Sequence, residues 1–101
     1  MAKHAAIVMS RNKIRGDKGE KGVILFVSST LGEAGMKGNL AYSASKAALD
    51  GMLMPMARDL GKYGIRVAAI APGIMWSPMS DMMPEKVKKS LLADTPMGRM
   101  G

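Results

Sequence analysis

Tyr42 and Lys46 are the two side chains whose types and spacing best suit proton transfer. They bound the segment Tyr-Ser-Ala-Ser-Lys, and a separation of four residues on a helix places both on one face, with Cβ atoms about 5–6 Å apart. A cation beside a phenol stabilises the phenolate, which makes tyrosine a usable acid or base near neutral pH. The spacing alone does not identify a catalytic pair, because a tyrosine four residues before a lysine on an amphipathic helix is usually a surface pair.

Ser29 supplies a third polar group. It lies 13 residues before Tyr42 and follows the apolar run from Val23 to Val27. Sheets of the α/β class place ligands at the carboxyl ends of their strands, so the three groups can converge at one edge. His4 is the only histidine and stands among alanines, where a packing or solvent position is expected, so no serine-hydrolase triad is available.

Two apolar runs and a long helix between them would position these groups. The run from Val23 to Val27 lacks polar alternation, which predicts a strand buried on both faces, and residues 65–71 predict a second strand. Asn39 is a candidate cap for a helix from about Leu40 to Lys62. Strand, helix and strand in this order predict the α/β class, with a parallel sheet and a right-handed crossover.

The long helix has one irregular position and one predicted buried face. Pro55 costs about 3 kcal/mol relative to alanine inside a helix, which implies a kink or different boundaries, but the continuing periodicity favours the helix. The positions spaced for burial are Leu40, Ala44, Ala47, Ala48, Met52, Met56 and Leu60. Elsewhere we predict a helix over residues 2–9, an irregular stretch from Pro72 to Met83 and a short helix from Pro84 to about Ala93.

Composition limits the classes of function. The 101 residues are 48% hydrophobic and 23% charged, which fits one small folded domain over residues 1–101. The absence of cysteine excludes disulfides and thiolate metal sites, and we predict no metal site. The longest apolar stretches are far shorter than the roughly 20 residues that cross a bilayer, so no membrane partner is expected. The net charge of +7 comes from scattered basic residues, so a nucleic-acid or anionic-membrane binding module ranks last.

The order and spacing of several motifs resemble the short-chain dehydrogenase/reductase family. These motifs are Ser29, Tyr42-Ser43-Ala44-Ser45-Lys46, Gly64-Ile65-Arg66-Val67 and Pro72-Gly73. The likeness covers nearly the whole chain and implies a partial Rossmann-type, doubly wound parallel sheet, with one strand-helix-strand crossover and flanking helices. The segments 57–60, 70–74 and 84–87 look closest to family members that act on 3-hydroxyacyl-CoA and hydroxysteroid substrates.

The resemblance assigns roles to residues of this sequence. Tyr42 would be the general acid or base, and Ser29 rather than its neighbour Ser28 would hydrogen-bond the substrate oxygen, because the 13-residue offset to Tyr42 selects it. Lys46 would hold the nicotinamide ribose and stabilise the phenolate, with Tyr42 also at the cofactor. The reaction would be hydride transfer between an alcohol and a ketone, with NAD favoured and NADP left open. The residues that would line the nicotinamide are Pro72, Gly73, Ile74 and Ser77.

The same resemblance implies that part of the family's fold lies outside this sequence. The glycine-rich turn for pyrophosphate and the acidic residue for the adenosine ribose would precede Met1, so we expect weak or no activity of the chain alone. A two-stranded sheet is marginal by itself, and we expect a homo-oligomer, a partner chain or partial unfolding. The resemblance implies a mitochondrial location, with the cytoplasm as the alternative. The alternative function is a non-catalytic structural or interaction subunit that descends from such an enzyme.

Overall fold

The computed structural model describes residues 1–17 and 19–101, which form two compact units, Met1–Ala71 and Pro72–Gly101. The first unit contains the strands and the long helix, and the second contains two short helices. The expected single domain over residues 1–101 stays a prediction.

The first unit is built around one strand-helix-strand crossover. Helix α1 spans Ala2–Ser10 and strand β1 spans Gly22–Val27; helix α2 then spans Leu40–Gly61 and leads to strand β2, Ile65–Ile70. The strands pair in parallel along their whole length, from Gly22 opposite Ile65 to Val27 opposite Ile70. This arrangement confirms the predicted α/β class and the parallel sheet with flanking helices.

The two faces of the sheet differ in burial. On the inner face, Ile24 and Ile65 are only 8% and 2% exposed, and helix α2 packs against β2. On the outer face, Val23, Leu25 and Val27 are 43%, 54% and 55% exposed. The prediction that β1 is buried on both faces is therefore wrong, because helices cover only the inner face within the part of the chain that the structure describes.

Helix α2 continues through Pro55 and ends at Gly61, one residue before the predicted end. The proline removes the N–H that would bond to the carbonyl of Gly51, one turn earlier. Both residues are exposed, so the freed carbonyl faces solvent and the predicted helix is confirmed. Asn39 stands at the N-cap as predicted, but its side chain caps none of the described N–H groups; its backbone carbonyl accepts from the N–H of Ser43 at 2.8 Å.

The buried face of α2 is rotated from the predicted one. Five of the seven predicted positions are exposed, namely Leu40, Ala44, Ala47, Ala48 and Met52. The half-buried positions are Ser43, Lys46, Leu49, Asp50, Leu53, Met56, Ala57 and Leu60. The rotation has a polar cause, because the side chains of Lys46 and Asp50 both bond to residues at the end of β1.

The second unit contains helices α3, Pro78–Asp81, and α4, Glu85–Ala93. Helix α4 follows Pro84 as predicted, but α3 lies where we predicted irregular structure, and that prediction is wrong. Ser77 and Ser80 close a capping box: the Ser80 N–H donates to Ser77 Oγ at 3.1 Å, and the Ser77 N–H donates to Ser80 Oγ at 2.8 Å. A serine followed by proline is the local signal for such a helix start. Of the helices in residues 1–17 and 19–101, none has both the length and the apolar character of a membrane span.

Candidate active site

Ser29 lies two residues past the carboxyl end of β1 and is 8% exposed. It is the N-cap of a single 3-10 turn, Thr30–Gly32, and its Oγ accepts a hydrogen bond from the N–H of Leu31 at 3.2 Å. Because this bond uses a lone pair of the hydroxyl, the hydroxyl hydrogen is left to donate, and none of the described residues accepts it. Ser29 can therefore donate a hydrogen bond to a substrate oxygen.

Lys46 connects helix α2 to the edge of the sheet. Its Nζ donates a hydrogen bond to the carbonyl oxygen of Val27 at 2.9 Å, and Val27 precedes Ser29 by two residues. The same Nζ lies 5.7 Å from the centroid of the Tyr42 ring. The ammonium group of Lys46 thus lies between the strand edge and the phenol. It donates one N–H to Val27 and keeps two further N–H groups that can donate elsewhere.

Tyr42 lies in the first turn of α2, one turn before Lys46, as the spacing predicts. Its side chain is 44% exposed, so the phenol is accessible. Tyr63 offers a comparison, because it is 46% exposed and the Nζ of Lys62 lies 5.2 Å from its ring centroid. That pair precedes β2 and so lies at the amino end of the parallel strands. A tyrosine-lysine contact alone therefore does not mark the site; the added bond from Lys46 to the strand end does.

The motifs did not single out Asp50, which also contacts the strand end. Ser28 is 3% exposed, and its Oγ donates a hydrogen bond to Asp50 Oδ2 at 2.9 Å. The same Oγ lies 3.2 Å from the carbonyl oxygen of Lys46. The available sequence signal was spacing, since Asp50 follows Lys46 by one helical turn and so shares its face.

The four residues predicted to line the nicotinamide lie in the second unit. Pro72 and Ile74 are half-buried, and Gly73 is exposed. The Oγ of Ser77 accepts from the N–H of Ser80 and lies 3.4 Å from the Ser80 hydroxyl. In this cap the Ser77 hydroxyl acts as an acceptor. The hydrogen of that hydroxyl forms no bond shorter than the 3.4 Å contact with Ser80 Oγ within the described residues. Their role at a cofactor stays a prediction.

Comparisons with known proteins agree on one family. A family model described as short chain dehydrogenase matches residues 2–88. The 3-hydroxyacyl-CoA dehydrogenase type-2 of Mus musculus is 45% identical over 84 residues, which cover 82% of this chain and 32% of that protein. The protein of the same name from Drosophila melanogaster is 45% identical over 92 residues, which cover 91% of this chain and 36% of that protein.

A solved structure extends the likeness to three dimensions. The crystal structure of 3-hydroxyacyl-CoA dehydrogenase type-2 from Mycobacterium avium superposes with a TM-score of 0.88 at 35% identity, over 99% of this chain and 39% of that chain. The chain thus spans about a third of the length of these relatives. The segments 57–60, 70–74 and 84–87 predict a likeness to 3-hydroxyacyl-CoA dehydrogenase type 2, also called 17β-hydroxysteroid dehydrogenase type 10. These relatives confirm that prediction, and the superposed structure confirms the Rossmann-type fold.

Proposed function

The chain belongs to the short-chain dehydrogenase family, and we propose that it carries the proton-transfer residues for hydride exchange between an alcohol and a ketone. The proposed substrate is a 3-hydroxyacyl-CoA or a hydroxysteroid, and the proposed cofactor is NAD, with NADP as the alternative. The names of the relatives support the acyl-CoA class. The observation that carries the proposal is the position of Lys46 Nζ, bonded to Val27 O and beside the Tyr42 ring.

Tyr42 would exchange the proton of the reaction. In the direction of ketone reduction its O–H donates a proton to the substrate oxygen while hydride arrives at the carbon, and in the reverse direction the phenolate takes the proton back. Lys46 would stand beside that phenolate, since its Nζ lies 5.7 Å from the centroid of the Tyr42 ring. The Ser29 hydroxyl would donate a hydrogen bond to the same substrate oxygen and so orient the carbonyl.

The donors present suit the cofactor's ribose. Lys46 keeps N–H groups that can donate to ribose hydroxyls, and the exposed Tyr42 hydroxyl can accept or donate beside it. Both groups therefore fit a nicotinamide nucleotide, which supplies or accepts the hydride when it is bound. The residues proposed for the nicotinamide ring belong to the second unit and are Pro72, Gly73, Ile74 and Ser77.

The test combines NADH binding with turnover of the purified chain. Calorimetry measures the affinity for NADH, and the loss of NADH absorbance follows reduction of acetoacetyl-CoA. Tyr42→Phe should lower turnover by about 10²- to 10⁴-fold, the range that a positioned acid contributes, with a small change in NADH affinity. Lys46→Met should weaken both turnover and binding, because it removes the ribose donor and the cation together.

The chain supplies its own matched controls. Tyr63→Phe and Lys62→Met change a second tyrosine-lysine contact of similar exposure and distance, so both variants should bind NADH and turn over as the unaltered chain does. Turnover that is unchanged by Tyr42→Phe would contradict the proposal. Equal losses in Tyr63→Phe and Tyr42→Phe would show that the effect is not specific to the site.

A second candidate function is that of a non-catalytic structural or interaction subunit, either in a homo-oligomer or with a partner chain. The outer face of the sheet favours it, because Val23, Leu25 and Val27 of β1 and Ile70 of β2 are about half exposed. Contiguous exposed apolar patches commonly mark protein interfaces. Sedimentation velocity over a range of concentrations tests this candidate, and a monomer that melts cooperatively at every concentration would contradict it.

A further inference from the structure

We propose that Asp50 is the positioning residue of this site, holding the segment that carries Ser29 against the helix that carries Tyr42 and Lys46. The inference deepens the proposed function and rests on it for the roles of those three residues. The assignment comes from contacts within this chain.

The hydrogen bond between Ser28 and Asp50 crosses from the strand end to the helix. Ser28 is 3% exposed, and its Oγ–Oδ2 distance to Asp50 is 2.9 Å. The backbone of Ser28 also stays in the sheet, because its N–H donates to the carbonyl of Ile70 at 2.8 Å. A hydroxyl supplies one hydrogen, and the carboxylate is the nearer and stronger acceptor, since the carbonyl of Lys46 lies at 3.2 Å. Asp50 thus bonds to the residue directly before Ser29.

Close packing beside this bond supports the same role. A Cβ built on Gly32 would meet the backbone nitrogen of Ala47 at 3.1 Å, the Cβ of Lys46 at 3.1 Å and the Asp50 carboxylate at 3.2 Å. The 3-10 turn after Ser29 therefore lies against the helical turn between Lys46 and Asp50. With the bond from Lys46 to the strand end, these contacts fix the Ser29 segment relative to the helix.

The geometry predicts which variants release the segment. Asp50→Ala and Ser28→Ala remove the bond, while Asp50→Asn keeps an oxygen that can accept from Ser28. The double variant Ser28→Ala/Asp50→Ala should release the segment to the same extent as Ser28→Ala alone, because the two side chains share one bond. Asp59→Ala is the matched control, since Asp59 is an exposed acid of the same helix and forms no ion pair within the described residues.

Amide hydrogen exchange measures the release directly. The N–H groups of Leu31 and Gly32 bond to Ser29, at 3.2 Å to its Oγ and 2.9 Å to its carbonyl oxygen. In Asp50→Ala these two amides should exchange about tenfold faster, the scale of one lost hydrogen bond to a charged group. The Lys21 amide, which bonds to Gly64 O at 2.7 Å at the other end of the sheet, should keep its rate.

The comparison of amides separates positioning from general stability. A purely structural role would speed all amides that exchange through global unfolding, Lys21 included. Parallel acceleration at both ends of the sheet, or none at Gly32, would overturn the proposal. We expect Asp50→Asn to recover slow amide exchange and Asp59→Ala to leave the exchange rates unchanged. Failure of either expectation would also overturn the proposal.

Turnover gives the second readout. In Asp50→Ala the kcat for acetoacetyl-CoA should fall about tenfold, because the Ser29 hydroxyl is misplaced. The KM for NADH should stay constant, because the groups that donate to the ribose keep their positions. Asp50→Asn should restore kcat. Turnover that survives Tyr42→Phe would count against the proposed function. The exchange rates would still decide the role of Asp50, so the two failures are distinguishable.

Discussion

Ile65 and Ile70 stand at opposite ends of β2 and point to opposite faces of the sheet, so they offer a matched measurement of how each face is covered. Ile65 is 2% exposed and Ile70 is 48% exposed. Replacing either with alanine removes about three methylene equivalents, each contributing about 0.8 kcal/mol when buried. With the cavity added, Ile65→Ala should lower the free energy of unfolding by about 2–5 kcal/mol. Ile70→Ala should lower it by about 1 kcal/mol, since half of the side chain is already in solvent.

Equilibrium denaturation in urea, followed by far-ultraviolet circular dichroism, measures both losses. Folded domains are in general stable by about 5–15 kcal/mol, so Ile65→Ala would remove a large share of even an ordinary stability. Ile65→Val, which deletes one methyl group and should cost about 0.5–1.5 kcal/mol, keeps the comparison usable if the alanine variant does not fold. The slope of the transition should stay constant across the three variants.

Equal losses at the two isoleucines would refute the reasoning, because they would mean that the outer face is covered in solution. In that case the loss at Ile70 should depend on protein concentration, as expected when a second copy covers the face. A concentration-independent loss as large as that of Ile65→Ala would contradict the assignment of an exposed outer face.

Three substitutions test other parts of the first unit by the same denaturation assay. Gly51→Ala should raise the free energy of unfolding by about 0.5–1 kcal/mol, because a new Cβ on this helical glycine would meet no described atom within 4 Å beyond its chain neighbours and the adjacent helix backbone. A loss of stability would contradict the exposed position. Gly64→Ala should lower it by at least about 1–2 kcal/mol, since its φ is +70° and a Cβ would collide with the carbonyl oxygen of Gly19; a neutral result would contradict that turn. Glu20→Gln breaks a 3.1 Å ion pair with Arg66 whose side chains are 41% and 62% exposed, so the loss should stay below about 1 kcal/mol and shrink in high salt. A loss of several kcal/mol, unchanged by salt, would show that this pair is not solvent-screened.

Local signals predicted the elements of the first unit and brought its candidate site residues into view. The run from Val23 to Val27 is apolar without interruption, and a short run of β-branched and other apolar residues after a glycine favours a strand. Tyr42 and Lys46 needed only a helix to share a face, and the helix formed. Ser29 follows the strand, and its 13-residue offset to Tyr42 distinguished it from Ser28. Apart from that offset, each prediction rests on neighbours within a few residues, which is why it could be made from the sequence.

The wrong predictions concern contacts between distant segments. The burial of a strand's second face depends on which elements reach it, and the run of residues carries no such information. The buried face of α2 was assigned from its apolar side chains. Its rotation is set instead by the bonds of Lys46 and Asp50 to Val27 and Ser28, which precede them in the sequence by 18 to 22 positions. Helix α3 is a different case, because Ser77 and Pro78 carried a start signal too short to outweigh the glycine and methionines around it.

The acceptor that holds Lys46 is a main-chain carbonyl and not a carboxylate. A carbonyl does not gain a proton in acid and is not displaced by counterions, so this anchor should hold under acidic or high-salt conditions that loosen an ion pair. Every amino acid at position 27 would present the same oxygen. The acceptor that orients the site's cation is thus part of the main chain, so no side-chain replacement at position 27 can delete it.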